Sequence, residues 1–150
     1  MSPARPALAL AVLLVSVALT AADEPVGEAQ RLKGIWAARS VTIDGVKAPD
    51  DPTMSTTMLA FDGSSYVQRE GGRITEEGDY HVSGDKSPKA IDLVIEKGPK
   101  SGQRQLGLYQ LSGDSLTVCL ARAGDRSRPK DFRSKPGTGQ SVVELKRFRP

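Results

Sequence analysis

Apolar and polar positions alternate with a period of two along most of the chain, in short runs punctuated by Gly, Asp and Pro roughly every ten residues. Eight such runs read as strands. The first is IWAARSVTI (35–43), ended by Asp44-Gly45, and the second is STTMLAF (55–61), ended by Asp62-Gly63. SYVQRE (65–70) is followed by Gly71-Gly72 and then RITEEGDYHV (73–82). AIDLVIE (90–96) closes on KGPKSG, RQLGLYQL (104–111) turns at Gly113-Asp114 into SLTVCLA (115–121), and SVVELKRF (141–148) comes last. Asp-Gly and Gly-Gly pairs supply the positive φ that tight hairpins need. Only EPVGEAQRLK (24–33) looks helical, with Pro25 as initiator, Gly34 as stop, and Ala29, Leu32 and Lys33 near one face.

Alternation assigns faces. Ile91, Leu93 and Ile95 share one side of their strand, and Asp92 and Glu96 the other. Ile74, Gly78, Tyr80 and Val82 oppose Thr75, Glu77, Asp79 and His81, while Val143 and Leu145 oppose Glu144 and Lys146. One dry face and one wet face is the habit of antiparallel sheet. The run 115–121 is apolar nearly throughout and the run 35–43 is ambiguous as well, so their inward faces stay open. Eight antiparallel strands joined mainly by short turns can form a sandwich or a closed barrel. Neighbouring hairpins along the whole chain favour an all-β, up-and-down eight-stranded barrel, which removes exposed edges.

An internal echo supports curvature. GDYHVSGD (78–85) returns as GLYQLSGD (107–114). In each octet a glycine lets a strand bend, a tyrosine two residues on covers the bare backbone, and Ser-Gly-Asp opens the turn. The alternative is that Tyr80 and Tyr109 line an internal cavity.

The first 22 residues stand apart. Arg5 precedes the uncharged stretch ALALAVLLVSVAL (7–19), and Thr20-Ala21-Ala22 leads into Asp23. A basic start, a short apolar stretch and small residues before the cut make the pattern of a secretory signal peptide. The apolar stretch is too short to cross roughly 30 Å of hydrocarbon, so a transmembrane anchor is disfavoured. The expected product is a single domain, residues 23–150, exported to the periplasm or beyond. Its basic and acidic residues nearly balance, which is too mild to imply nucleic acid. Cys119 is the single cysteine, so no internal disulfide can form.

Candidate chemistry is sparse. His81 reads as a surface histidine among carboxylates, and Cys119 as a small buried hydrophobe. No His pair, paired cysteines or calcium loop suggests a metal, and no cofactor is expected. The acids of EEGD (76–79) read as solvated, and KPGTGQ (135–140) lacks the ending of a phosphate loop. Nothing assembles a catalytic constellation, so the expectation is a protein that is not an enzyme. One segment is unusual: RAGDRSRPKDFRSK (122–135) carries six basic residues and two acids and is too long for a hairpin turn. Read as a flap, it has Phe132 plugging one barrel end. Read as an anion site, it offers Arg128, Lys130 and Arg133. The flap is the favoured reading.

LKGIW before the first strand is similar to the Gly-x-Trp opening of lipocalin-type barrels. Together, LKGIWAARSVTIDG, SPKAIDLVIEKGPKSGQ, LGLYQLSGDSLTVCLA and RPKDFRSKPGTG with VVELKR resemble an exported, conserved-hypothetical domain family abundant in planctomycete bacteria. The resemblance runs from about residue 29 to 148 and implies a lipocalin-like fold. It supplies no catalytic residues.

A small apolar ligand held inside the barrel is the first functional expectation, since an eight-stranded interior is just wide enough for side chains or one small ligand. Trp36, Met58, Tyr80, Ile91, Leu93, Tyr109 and Leu111 are the expected lining. The alternative is an interaction or structural module of the cell envelope that uses its outer face and the basic loop. A monomer without nucleic-acid partners is expected on either reading.

Overall fold

A computed structural model describes residues 27–52 and 54–150. The expected signal segment, 1–22, and the helix initiator Pro25 lie outside the described residues.

The fold is all-β. Among the described residues, nine strands follow a short helix α1 (Glu28–Leu32): β1 (Gly34–Ile43), β2 (Val46–Lys47), β3 (Met58–Phe61), β4 (Ser65–Glu70), β5 (Arg73–Ser83), β6 (Ala90–Lys97), β7 (Arg104–Ser112), β8 (Ser115–Leu120) and β9 (Ser141–Phe148). β2 is a two-residue arm that folds back on the end of β1 through Asp44-Gly45. The other eight strands pair antiparallel with their neighbours, and β9 pairs back onto β1, which closes the barrel. Gly71 and Gly72 both hold positive φ, 56° and 78°, in the two-residue turn between β4 and β5. Such φ values match the twist of the flanking strands and exclude most side chains.

The sequence placed a strand from residue 55. Instead Met54–Thr56 form a single 3-10 turn, and β3 begins at Met58. Asp51 accepts from the Met54 N–H, and Ser55 donates to the Pro52 carbonyl. Such local bonds compete with the ladder. β2 was not foreseen, because two residues carry no periodicity.

Register shifts interrupt the ladder at three places. Arg39 is extra against β9, Thr75 is extra against β4, and Glu96 is extra against β5. The bulge at Thr75 corrects one expectation. Ile74 does not share the face of Gly78 and Tyr80; it pairs with the outward Arg69 and is 49% exposed. One inserted residue inverts the parity beyond it.

α1 closes one end of the barrel. Leu32 and Trp36 are fully buried, and the Trp36 indole N–H donates to the Leu32 carbonyl at 2.8 Å. The Arg147 guanidinium lies 4.2 Å over the Trp36 ring and donates to the carbonyls of Lys33 and Arg31. Phe61 meets Tyr80 edge-on at 4.7 Å. Lys33, expected on the packed face of the helix, is exposed at its C-terminus.

The octet repeat has a geometric basis. A Cβ on Gly78 would land on the Val94 carbonyl oxygen, and one on Gly107 would lie 2.6 Å from the Cys119 carbonyl oxygen. Strands can curve this tightly only where no side chain intervenes. The partner tyrosines turn inward at the closed end, where the Tyr80 hydroxyl donates to the Ala29 carbonyl and the Tyr109 hydroxyl to Glu28.

Candidate functional site

The basic loop sits elsewhere than expected. Phe132 is half-buried but does not line either end of the barrel interior, because the loop between β8 and β9 lies along the outer wall. Inward positions of β8 are Leu116, Val118 and Leu120, so Cys119 faces outward. Cys119 is nevertheless fully buried, beneath the loop, with its thiol 3.9 Å from the Arg133 carbonyl. Burial, with the negative charge of Asp131 second, pushes the Cys119 thiol up to about 11. Pro129 is buried as well. Arg128 anchors the loop: its Nη1 donates to the carbonyls of Ile91 (3.1 Å) and Gly107 (2.8 Å) and lies 2.7 Å from Asp92 Oδ1. The contact with Asp92 is an ion pair without hydrogen-bond geometry, since both Nη1 hydrogens serve the carbonyls. The three cations proposed as an anion site are therefore divided. Arg128 is engaged in the wall, and Lys130 and Arg133 are exposed.

Sequence reasoning grouped seven lining residues, and the barrel separates them. Trp36, Tyr80, Ile91 and Tyr109 are packed solidly in the core under α1, with Leu111 against them. Met58 and Leu93 border a cavity of about 370 Å³ at the opposite, open end. Met58 sits at its margin, while Leu59 takes the inward position beside Trp36.

The cavity wall is mainly apolar: Val41, Leu59, Leu93, Val118, Leu120, Val143 and Leu145 come from five strands. Ile43, Met54, Glu70 and Lys100 stand at its mouth, on or beside the turns of that end. Two glutamines and a glutamate give it a polar band. The Gln68 amide nitrogen donates to Glu70 Oε1 at 3.0 Å, and the buried Gln105 amide nitrogen donates to the Ala121 carbonyl at 2.9 Å. Glu76 Oε1 accepts from the Tyr66 hydroxyl at 2.8 Å. Burial, and then this bond to Glu76, push the Tyr66 phenol well above its ordinary range, so it remains a neutral donor.

Glu76, Gln68 and Gln105 were missed. Polar side chains on an alternating strand read as wet, yet Glu76 shares the parity of Gly78 and Tyr80, which was the available signal. Val118 and Leu120 were missed because β8 is apolar on both faces, one covered by the core and the other by the loop.

His81 is exposed on the outside of β5, with β6 and β7 between it and the strand of Cys119, so the two do not meet. No three His, Cys, Asp or Glu side chains among the described residues gather as a metal site. No described helix is long and apolar enough to cross a membrane. No family model, curated protein or solved structure matches the chain. The family resemblance rests on the four sequence motifs alone.

Proposed function

We propose that the protein is an exported, lipocalin-like binding module that takes one small apolar molecule into the open end of its barrel and carries out no reaction on it. The cavity of about 370 Å³ carries this reading. It falls within the size range of small-molecule sites, roughly 300–1,000 Å³, and combines an apolar wall with few polar groups. The closed end favours it too: α1, Trp36 and Arg147 seal the floor, so a ligand has one entrance. Export is supported by the uncharged stretch 7–19 behind Arg5. Titration with a neutral, environment-sensitive apolar dye tests the reading. Dye fluorescence should rise and saturate at one site per chain, and Val41→Phe or Val143→Phe should abolish the rise while leaving the far-UV spectrum unchanged. Binding unaffected by either filling substitution would refute it.

A second reading, docking on an anionic envelope surface, has its own observation. Ile35 and Phe148 form an exposed cross-strand pair on β1 and β9, beside Arg39, Lys146 and Arg149. Asp114 neutralises part of that charge through Arg147 and Arg149, which makes this reading the weaker one. Salt-sensitive sedimentation with anionic vesicles, lost in Phe148→Ser, would favour it.

A further inference from the structure

The polar groups around the open-end cavity are unequal in kind. Gln68 and Gln105 each have their amide nitrogen engaged by an atom that can only accept, a carboxylate oxygen and a backbone carbonyl respectively. That fixes both amide orientations and leaves each side-chain oxygen as the unengaged atom. The Tyr66 hydroxyl proton is engaged by Glu76 Oε1. Glu76 Oε2 makes no hydrogen bond or ion pair with a described residue. Glu70 adds a second carboxylate at the mouth, and Lys100, on the exposed turn between β6 and β7, is the one cation among the described residues that borders the cavity.

Backbone irregularities hold Glu76 in place. The bulge at Thr75 lies on one side of it, toward β4, and the bulge at Glu96 lies on the other, toward β6. Gly98 packs so closely on this segment that an added Cβ would lie 2.7 Å from the Thr75 carbonyl oxygen. Bulges at barrel rims commonly re-aim a side chain. Glu76 thus borders the cavity with one carboxylate oxygen unpartnered and not fully buried, open to a donor from an occupant.

We infer that the occupant of this cavity is an amphipathic cation, an alkyl or aryl ammonium, whose charged head is received by Glu76 and the oxygens of Gln68 and Gln105. This rests on the reading of the cavity as a small-molecule site. An ammonium brings three donors and no acceptor, the complement of an acceptor-rich band. Its apolar tail lies against Leu93, Val118, Leu120 and Val143. A carboxylate or phosphate head would meet two carboxylates and two amide oxygens, with Lys100 the one cation among the described residues to offset them.

Isothermal titration of the full chain with octylammonium, octanol and octanoate at neutral pH tests this. Octylammonium should bind about tenfold more tightly than octanol, about 1.4 kcal/mol, and octanoate should bind most weakly. Glu76→Gln keeps an acceptor for the Tyr66 hydroxyl. It should bring octylammonium to within about threefold of octanol and leave octanol unchanged. Equal binding of the three probes, or an ammonium preference that survives Glu76→Gln, overturns the cation inference and leaves the cavity reading standing. Should Glu76→Gln not fold, the ranking of the three heads on the native chain decides. Failure of all three probes to bind overturns both.

Discussion

Arg128→Ala should loosen the loop from the barrel wall. The side chain gives two charge-assisted hydrogen bonds, to the carbonyls of Ile91 and Gly107, and an ion pair to Asp92. Bonds of this kind contribute about 1.5–3 kcal/mol each when dry. Here both come from one nitrogen, and the side chains of Arg128 and Asp92 remain 28% and 23% exposed, so water screens part of the interaction. Removing the guanidinium also leaves Asp92 Oδ1, a fully buried atom, without its cation. Together these give a loss of about 2–3 kcal/mol, or about 10 °C in Tm for a domain of this size. Asp92→Asn in the Arg128→Ala background should recover about 1 kcal/mol, since the stranded charge is gone. A second measurement separates loop release from general destabilisation. Native Cys119 is covered by the loop and its thiol is pushed up to about 11, so a bulky thiol reagent should label it slowly. In Arg128→Ala, well below its melting point, labelling should accelerate at least tenfold. A melt within about 1 °C of the native protein, with Cys119 still protected, would refute the anchoring role.

Gly78→Ala should destabilise by about 3 kcal/mol in denaturant titration, because its methyl group would meet the Val94 carbonyl and the backbone must shift. The Glu28 carboxyl is held below its usual range, chiefly by its hydrogen bond from Lys89 and also by Tyr109 and Arg31, against opposing desolvation. Its contribution is therefore present above the ordinary carboxylate range and is lost as pH falls through the lowered value. The stability gap between the native protein and Glu28→Gln should be open at neutral pH and close in acid, and a gap independent of pH would contradict this. Phe132→Ala should cost only about 1–2 kcal/mol, less than emptying a buried aromatic site. Charge reversal at the exposed Lys130 and Arg133 should change stability by about 0.5 kcal/mol, both read by thermal melt.

Much of the barrel was legible in the sequence because its determinants are local. Period-two alternation, Gly71-Gly72, Gly113 and the glycine–tyrosine octets mark strand, turn and bend with residues a few positions apart. From these came eight strands, their order and closure. The N-terminal helix was legible from its composition and from Gly34 as a stop, although it spans only Glu28–Leu32.

The site was decided by tertiary structure. Alternation tells which side chains face inward but not how high each sits along the barrel axis. Height depends on cross-strand stagger, which no single strand encodes. Tyr80 and Leu93 are both inward and pair directly across β5 and β6, yet one lies in the packed floor and the other reaches the cavity. Bulges at Arg39, Thr75 and Glu96 arise from the fit between neighbouring strands, and that at Thr75 turned Ile74 outward. The course of the loop was likewise non-local. Its composition allowed a plug or a solvated anion site, and one side chain, Arg128, bonded to the Ile91 and Gly107 carbonyls and paired with Asp92, 36 positions earlier in the chain, holds it on the wall instead. Sequence alone therefore determined the strands and their order and favoured a closed barrel over a sandwich; only the packed structure decided which end is filled, which end is open, and that the open end is rich in acceptors.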